Sequence, residues 1–270
     1  MVYCTHGIVR NFDNSVFIHK NMLDWDATEN YLKTREKPFQ SLELAISGKA
    51  EALTIDDNTQ AAYDLAALAI RYGHEVTLFI NPHNLVHRQG YSFVLLNLLI
   101  DSLPESIIEF NGKDFDCTSY IGKKRLRFQL KKVLKNPKNE QERTESIIAL
   151  AKHWKLDLGS VPHHLNTLSI NQIKELLEMG VRIENHGWDH VSINDWDREH
   201  VEHFINDSQK WLLENLGIKS SFFAVPFGEV QPISHDLNVS CKHWFLEDST
   251  IKLGSIDASV YNRKSLHITN

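Results

Sequence analysis

A parallel α/β fold, its strands and crossover helices closing into a distorted (β/α) barrel, is predicted by three observations. Short apolar runs of strand length alternate with stretches of helical periodicity. A strand–helix–strand unit near residue 50 is followed by a second series of such units after residue 168. Three of the apolar runs end in polar or turn-forming clusters, as expected where the carboxyl ends of parallel strands share one rim. An open doubly wound sheet is the alternative arrangement of the same elements.

The first unit opens with Ala52-Leu53-Thr54-Ile55, a buried strand ending at Asp56-Asp57. Ala62, Leu65, Ala66, Ala69 and Ile70 then fall at helical spacing, with Gly73 placed to end the helix. Val76 to Ile80 is the next strand, closed by Asn81-Pro82. Residues 83–168 read as mostly helical, and no Pro/Gly/Ser-rich linker sets them apart. One domain over residues 1–270 with a helical insertion at about 83–168 is therefore expected. Ser169 with Gln172 forms a capping-box pattern ahead of Ile170, Ile173, Leu176 and Leu177. Val181 to Glu184 is a strand ending at Asn185-His186. A longer helix follows with Val201, Phe204, Ile205 and Leu212 on one side and Gly217 as its stop. Ser221 to Val225 is a strand ending at Pro226-Phe227-Gly228, and Ile251–Ile256 and Ser265–Ile268 are further strand candidates.

Composition narrows the function. Of the 270 residues, 42% are hydrophobic and 24% charged, as in ordinary folded chains. The formal net charge of -6 argues against a general nucleic-acid binder. Cys4, Cys117 and Cys241 are odd in number and far apart, so neither a disulfide framework nor a thiolate zinc site is indicated. That usage fits a reducing compartment, and a cytoplasmic location is the expectation. The N-terminus has no signal-peptide pattern, and the most apolar stretch, Phe93 to Ile100, is too short to span a bilayer. No G-x-S-x-G, GxGxxG, P-loop or HExxH pattern occurs. His200 and His203 lie one helical turn apart and read as a solvated face. His163-His164 lies in a Pro-containing loop, at the surface or rim.

The chemistry gathers at the strand ends. His186 and His190 are four residues apart, so a helical turn, or a turn leading into one, lets both imidazoles reach one ion. Asp57 is the natural third ligand, leaving the open coordination position of a catalytic zinc site, with Asp56 beside it free to act as a base. Each piece alone arises often by chance, and Asp-Asp before a helix is commonly an N-cap. Together at matched strand ends, they point to metal-assisted hydrolysis.

LTIDD at 53–57, IENHGWDH at 183–190 and FFAVPFG at 222–228 resemble, in that order, the three leading motifs of the polysaccharide deacetylase family, the fourth carbohydrate esterase family. The resemblance covers roughly residues 50–230. It implies a (β/α) barrel of seven or so strands, a zinc-like ion, and deacetylation of an N-acetylated sugar or polysaccharide, with surface-polysaccharide assembly as the setting. Residue by residue, it implies Asp56 as catalytic base, Asp57, His186 and His190 as metal ligands, and the Phe227 backbone N–H as a donor to the oxyanion. Ala224 stands where the family usually has an arginine, so Asp56 needs another cation, with Arg263 and Lys242 as candidates. The family's late Leu-x-His has no clean match, and His267 is the nearest counterpart for its general acid. A metal-dependent amidohydrolase on a small non-sugar amide, and an inactive carbohydrate-binding member, are the competing readings. Lys123 to Lys135 carries seven Lys/Arg and no acid, with Leu126, Leu130, Val133 and Leu134 as its apolar face. A solvated helix is the plain reading. Contact with an anionic carrier or an anionic membrane surface is the sharper one.

Overall fold

The computed structural model describes residues 1–10, 22–134, 139–194, 196–228, 237–247 and 259–268. Seven strands form a closed parallel barrel: β1 (Val2–Thr5), β2 (Ala52–Asp56), β3 (Val76–Ile80), β4 (Arg182–Asn185), β5 (Phe222–Ala224), β6 (His243–Glu247) and β7 (Ser259–Ser265). Chain order is also spatial order, and β1 closes the ring by pairing with both β2 and β7. That closure excludes the open doubly wound sheet, because no barrel strand is left as an edge.

The four strands from β2 to β5 lie where their apolar runs predict. β1 and β6 went unread in the sequence, and the final strand sits earlier than Ser265–Ile268 suggested, with Ser265 its last residue. The reason is compositional. β7 reads Ser-Val-Tyr-Asn-Arg-Lys-Ser, and of its inward residues only Tyr261 is apolar while Arg263 and Ser265 are polar, so hydrophobic periodicity does not find it. The Ile251–Ile256 candidate lies outside the described residues.

Alternation along the strands sorts the core into two layers. Phe79, Phe222, Ala224 and Phe245 face inward, with Phe245 at 5.9 Å from Phe79 and 5.7 Å from Phe222 between ring centroids. Leu53, Ile55, Leu78, Ile80 and Ile183 face outward onto α1 (Gln60–Arg71), which contributes Ala62, Leu65, Ala66 and Ala69. The insertion comprises α2 (Ser92–Asp101), α3 (Tyr120–Val133) and α4 (Glu140–His153), with a hairpin of Ile107–Phe110 and Lys113–Asp116. It has its own apolar cluster, built on Leu99, Ile100, Phe115, Leu126, Leu130 and Ile147. Val133 does not join that cluster and is exposed, whereas Leu134 turns inward with Leu126 and Leu130. Beyond the insertion, α5 (Ile170–Glu178) begins with the expected capping box, and α6 (Arg198–Leu216) ends at Gly217, which is left-handed.

Candidate active site

β2 delivers two carboxylates to one place by a local break in its own geometry. Successive strand residues point to opposite faces, so Asp56 and Asp57 would diverge if the strand simply continued. Asp57 instead takes φ 70°, the left-handed region that Asp tolerates better than most residues, and turns its carboxylate in beside that of Asp56. Tyr91 secures the turn: its hydroxyl donates to Asn58 Oδ1 at 2.5 Å and accepts from Asn58 N at 2.9 Å.

His186 and His190 reach the same point from the irregular segment after β4, which is not helical. Gly187 makes the bend possible: φ is 85°, and a Cβ there would lie 2.1 Å from the Phe204 ring. Asn185 Oδ1 accepts from Gly187 N at 2.7 Å, and Asn81 donates to the His186 carbonyl at 2.7 Å. His186 Nδ1 is 2.8 Å from the Ala224 carbonyl, so Nδ1 carries the proton and Nε2 presents its lone pair inward. Nε2 of His186 and of His190 lie 3.7 and 3.6 Å from Asp57 Oδ1. One ligand atom from each of the three residues lies within 4.8 Å of the others, and all three residues are buried.

This donor set fits a divalent cation. Asp57 Oδ1 is buried without a hydrogen-bond partner, an unsatisfied state that a cation would relieve. Burial and then the charge on Asp56 push the Asp57 carboxyl well above its ordinary pKa. Burial also pushes His186 down to about 4 and His190 well below its usual value. The imidazoles are thus held neutral, the form in which they ligate metal.

Asp56 is set apart from its neighbour. Arg263, fully buried, grips it with both terminal nitrogens: NH1 to Oδ1 and NH2 to Oδ2, each at 2.6 Å. NH1 also reaches Thr54 Oγ1 at 3.2 Å, and Nε donates to the Leu246 carbonyl at 3.3 Å. Burial alone would raise the Asp56 pKa, but the Arg263 guanidinium outweighs it and holds the carboxylate well below its ordinary range. Arg263 is therefore the cation that Ala224 does not supply; Lys242 is exposed.

Phe227 has φ 64°, an uncommon backbone state for an aromatic residue and one that clusters at functional sites. Its ring packs edge-on against His190 at 4.5 Å. Gly228 follows at φ 68°, where a Cβ would sit 2.6 Å from Glu247 Cβ.

Asp56, Asp57, His186, His190 and Phe227 line a cavity of about 470 Å³. His267 does not line it. Leu266 turns into the apolar layer outside the barrel, and His267, beyond the end of β7, is exposed. The sequence reading missed His6. It follows β1 directly, lines the cavity, and has Nδ1 buried without a partner. Its signal was faint: a histidine just after Val2-Tyr3-Cys4-Thr5, a short run that resembles no motif.

Residues 139–242 match the sequence pattern of the family described as Polysaccharide deacetylase. The match covers less than half of the chain and likens it to that family. The matched segment holds the second and third motifs, while Asp56, Asp57 and Arg263 lie outside it and are joined to it by the barrel. Three solved structures share the fold. IcaB from Ammonifex degensii has a TM-score of 0.54 at 13% identity, over 99% of this chain and 91% of that one. A de-N-acetylase from Aggregatibacter actinomycetemcomitans has 0.51 at 12%, over 100% and 95%. The Streptococcus pyogenes deacetylase PplD, in complex with acetate, has 0.51 at 14%, over 85% and 74%. No curated protein matches by sequence. Hydrolytic deacetylation of carbohydrate is the activity that accompanies the family.

Proposed function

We propose that this deacetylase removes the acetyl group from an N-acetylated sugar, using a divalent cation, most naturally zinc, held by Asp57, His186 and His190. The observation that carries the reading is the division of labour between adjacent carboxylates: Asp57 faces two imidazoles, and Asp56 faces Arg263. A bound cation supplies an electrophile for the amide carbonyl and a water of lowered pKa. Arg263 keeps Asp56 ionised and aimed, so Asp56 takes the proton from the attacking water. The same pairing makes Asp56 a weak holder of that proton. His6, which follows the strand next to that of Asp56 and lines the same cavity, hands a proton to the departing amine nitrogen. The strained backbone at Phe227 directs its N–H to the oxyanion. An N-acetyl substrate agrees with the name of the Aggregatibacter neighbour, a de-N-acetylase, and with the acetate held by PplD. Assembly of a surface polysaccharide is the setting proposed.

The test is acetate release from N-acetylglucosamine oligomers by zinc-loaded protein, with metal content measured in every variant. His186→Ala and His190→Ala should lose the ion. Asp56→Asn should keep it and lose turnover by roughly 10²–10⁴-fold, and His6→Gln should keep it and lose on the order of 10²-fold. Wild-type turnover in Asp56→Asn, or full metal occupancy in both histidine variants, would overturn the assignment. Release of acetate from simple amides but from no sugar would move the enzyme to the small-amide class.

A further inference from the structure

The cavity has two unlike walls. Asp56, Asp57, His186, Phe227 and Glu247 come from the barrel, whereas Arg127, Phe128, Lys131 and Lys132 come from α3. Positions 127, 128, 131 and 132 share one side of a helix by their spacing. Leu126, Leu130 and Leu134 hold the other side against the insertion's own core. In a chain of net charge -6, a helix with six Lys/Arg and no acid runs against the overall balance, and three of those six residues line the catalytic cavity.

The details suit a ligand that is both ring-shaped and charged. Asn97 Oδ1 accepts from Arg127 Nε at 2.8 Å, which fixes the direction of the guanidinium fork. Phe128 is 56% exposed, and Lys132 Nζ lies 4.5 Å from its ring centre. Lys131 Nζ lies 5.6 Å from the ring of Phe227, the residue next to the reacting centre. On the barrel wall Asp56 takes Arg263, Glu247 accepts from Ser265 Oγ at 3.1 Å, and Asp57 faces the two imidazoles. The cavity therefore offers an apolar ring flanked by ammonium groups on one wall and the cleavage chemistry on the other.

We infer that α3 forms an anion subsite: the sugar to be deacetylated carries, on itself or on the adjoining residue, a phosphate or carboxylate that seats on Arg127, Lys131 and Lys132. This rests on the deacetylase reading for the position of the amide, while the subsite itself can be measured by binding alone. The cavity placement favours a substituent of the substrate over a membrane surface, because three of the cations face the pocket that holds Asp56.

The experiment is calorimetric titration of zinc-loaded protein with N-acetylglucosamine, its 6-phosphate, and N-acetylmuramic acid, whose charge is a carboxylate. Wild type should bind a charged sugar about tenfold or more tightly than the neutral one, as one good charge-assisted contact provides. Whichever charged sugar gains shows the source of the anion. Lys131→Gln with Lys132→Gln should shrink the preference to within about threefold, and so should raising the salt. Lys132 is exposed and Lys131 half-buried, and circular dichroism of the double variant checks its fold. Equal affinity of wild type for all three sugars overturns the inference. So does equal sugar affinity accompanied by binding to phosphatidylglycerol vesicles that the double variant loses, which would assign α3 to a membrane surface. A charge preference without acetate release from any sugar keeps the subsite and sinks the deacetylase reading instead.

Discussion

The barrel rim and the helical insertion meet at one cavity but are built in opposite ways. At the rim, Asp56, Asp57, His186 and Arg263 are almost fully buried, and each position is over-determined by strand pairing, a left-handed turn or a bidentate ion pair. Across the cavity, α3 presents long flexible cations, one of them exposed, from a helix that packs on the cluster it shares with the Ile107–Asp116 hairpin. The comparison teaches where precision is stored. Cleavage chemistry needs groups fixed within a fraction of an ångström, which buried strand ends supply. Recognition of a charged substituent tolerates mobile side chains, which a helix added between β3 and β4 supplies.

Breaking the rim should have the largest effect. Arg263→Met removes one partner of a buried ion pair and strands the other, and such losses run to about 3–5 kcal/mol. We expect a protein much less stable to urea at neutral pH, with the deficit shrinking as the solution is acidified and Asp56 takes up a proton. The double variant Arg263→Met with Asp56→Asn should recover much of the loss, since no charge is then left unpaired. A single Arg263→Met variant as stable as wild type would mean that Asp56 has another partner.

How much of this was legible in the sequence follows the same division. The three residues of the candidate metal site could be singled out because Asp57 and His186 stand where apolar runs stop and His190 follows four residues on; the structure brings them together. The need for a cation at Asp56 could be read too, from Ala224, but choosing Arg263 over Lys242 required the barrel to close. The two partners are 207 positions apart. The strand carrying Arg263 was misplaced for the reason that makes it useful, its polar inward face. The Ile107–Asp116 hairpin was passed over as helix, although Asn111-Gly112, both at positive φ, is a hairpin turn pair. The basic segment could be read as a helix, but its orientation towards the cavity could not, because composition alone does not say what a charged face looks at.

A smaller effect is expected where the two regions are joined. Glu140, at the start of α4, is fully buried, and its Oε2 accepts from Ser92 Oγ at 2.9 Å. Its backbone N–H donates to Asp189 Oδ2 at 3.0 Å, and Arg143, one turn on, donates to the His190 carbonyl at 3.0 Å. Burial pushes the Glu140 carboxyl up to about 7, against the pull of Arg143. Between its ordinary value of 4.5 and about 7, the folded state keeps a proton that the unfolded chain has lost. Stability from this group is therefore full below that window and falls as pH rises through it. Glu140→Gln should flatten that part of the profile, on the order of 1–3 kcal/mol, and gain on wild type above neutrality. The check is urea unfolding of both proteins from pH 4.5 to 8. A constant difference across that range would show that Glu140 is ionised throughout in the folded state.

The smallest effect is expected at His267, and it separates position in the chain from position in the fold. By chain order His267 is the natural proton donor, being the last histidine and close to the final strand. In the barrel, β7 lies beside β1, so the start of the chain and its last strand are neighbours at the same rim. Leu266 N donates to the Cys4 carbonyl at 2.8 Å, two residues before His6. Of these two histidines, His6 is the one that lines the cavity, and His267 is exposed outside it. An exposed imidazole outside the cavity can neither protonate the leaving amine directly nor hold another group that does. His267→Ala should therefore leave turnover within about threefold of wild type, against roughly a hundredfold for a true general acid. The acidic limb of the pH profile of kcat should be unchanged by the substitution. A hundredfold loss in His267→Ala with metal retained would return the proton to the end of the chain, and would require the segment after β7 to fold over the cavity during catalysis.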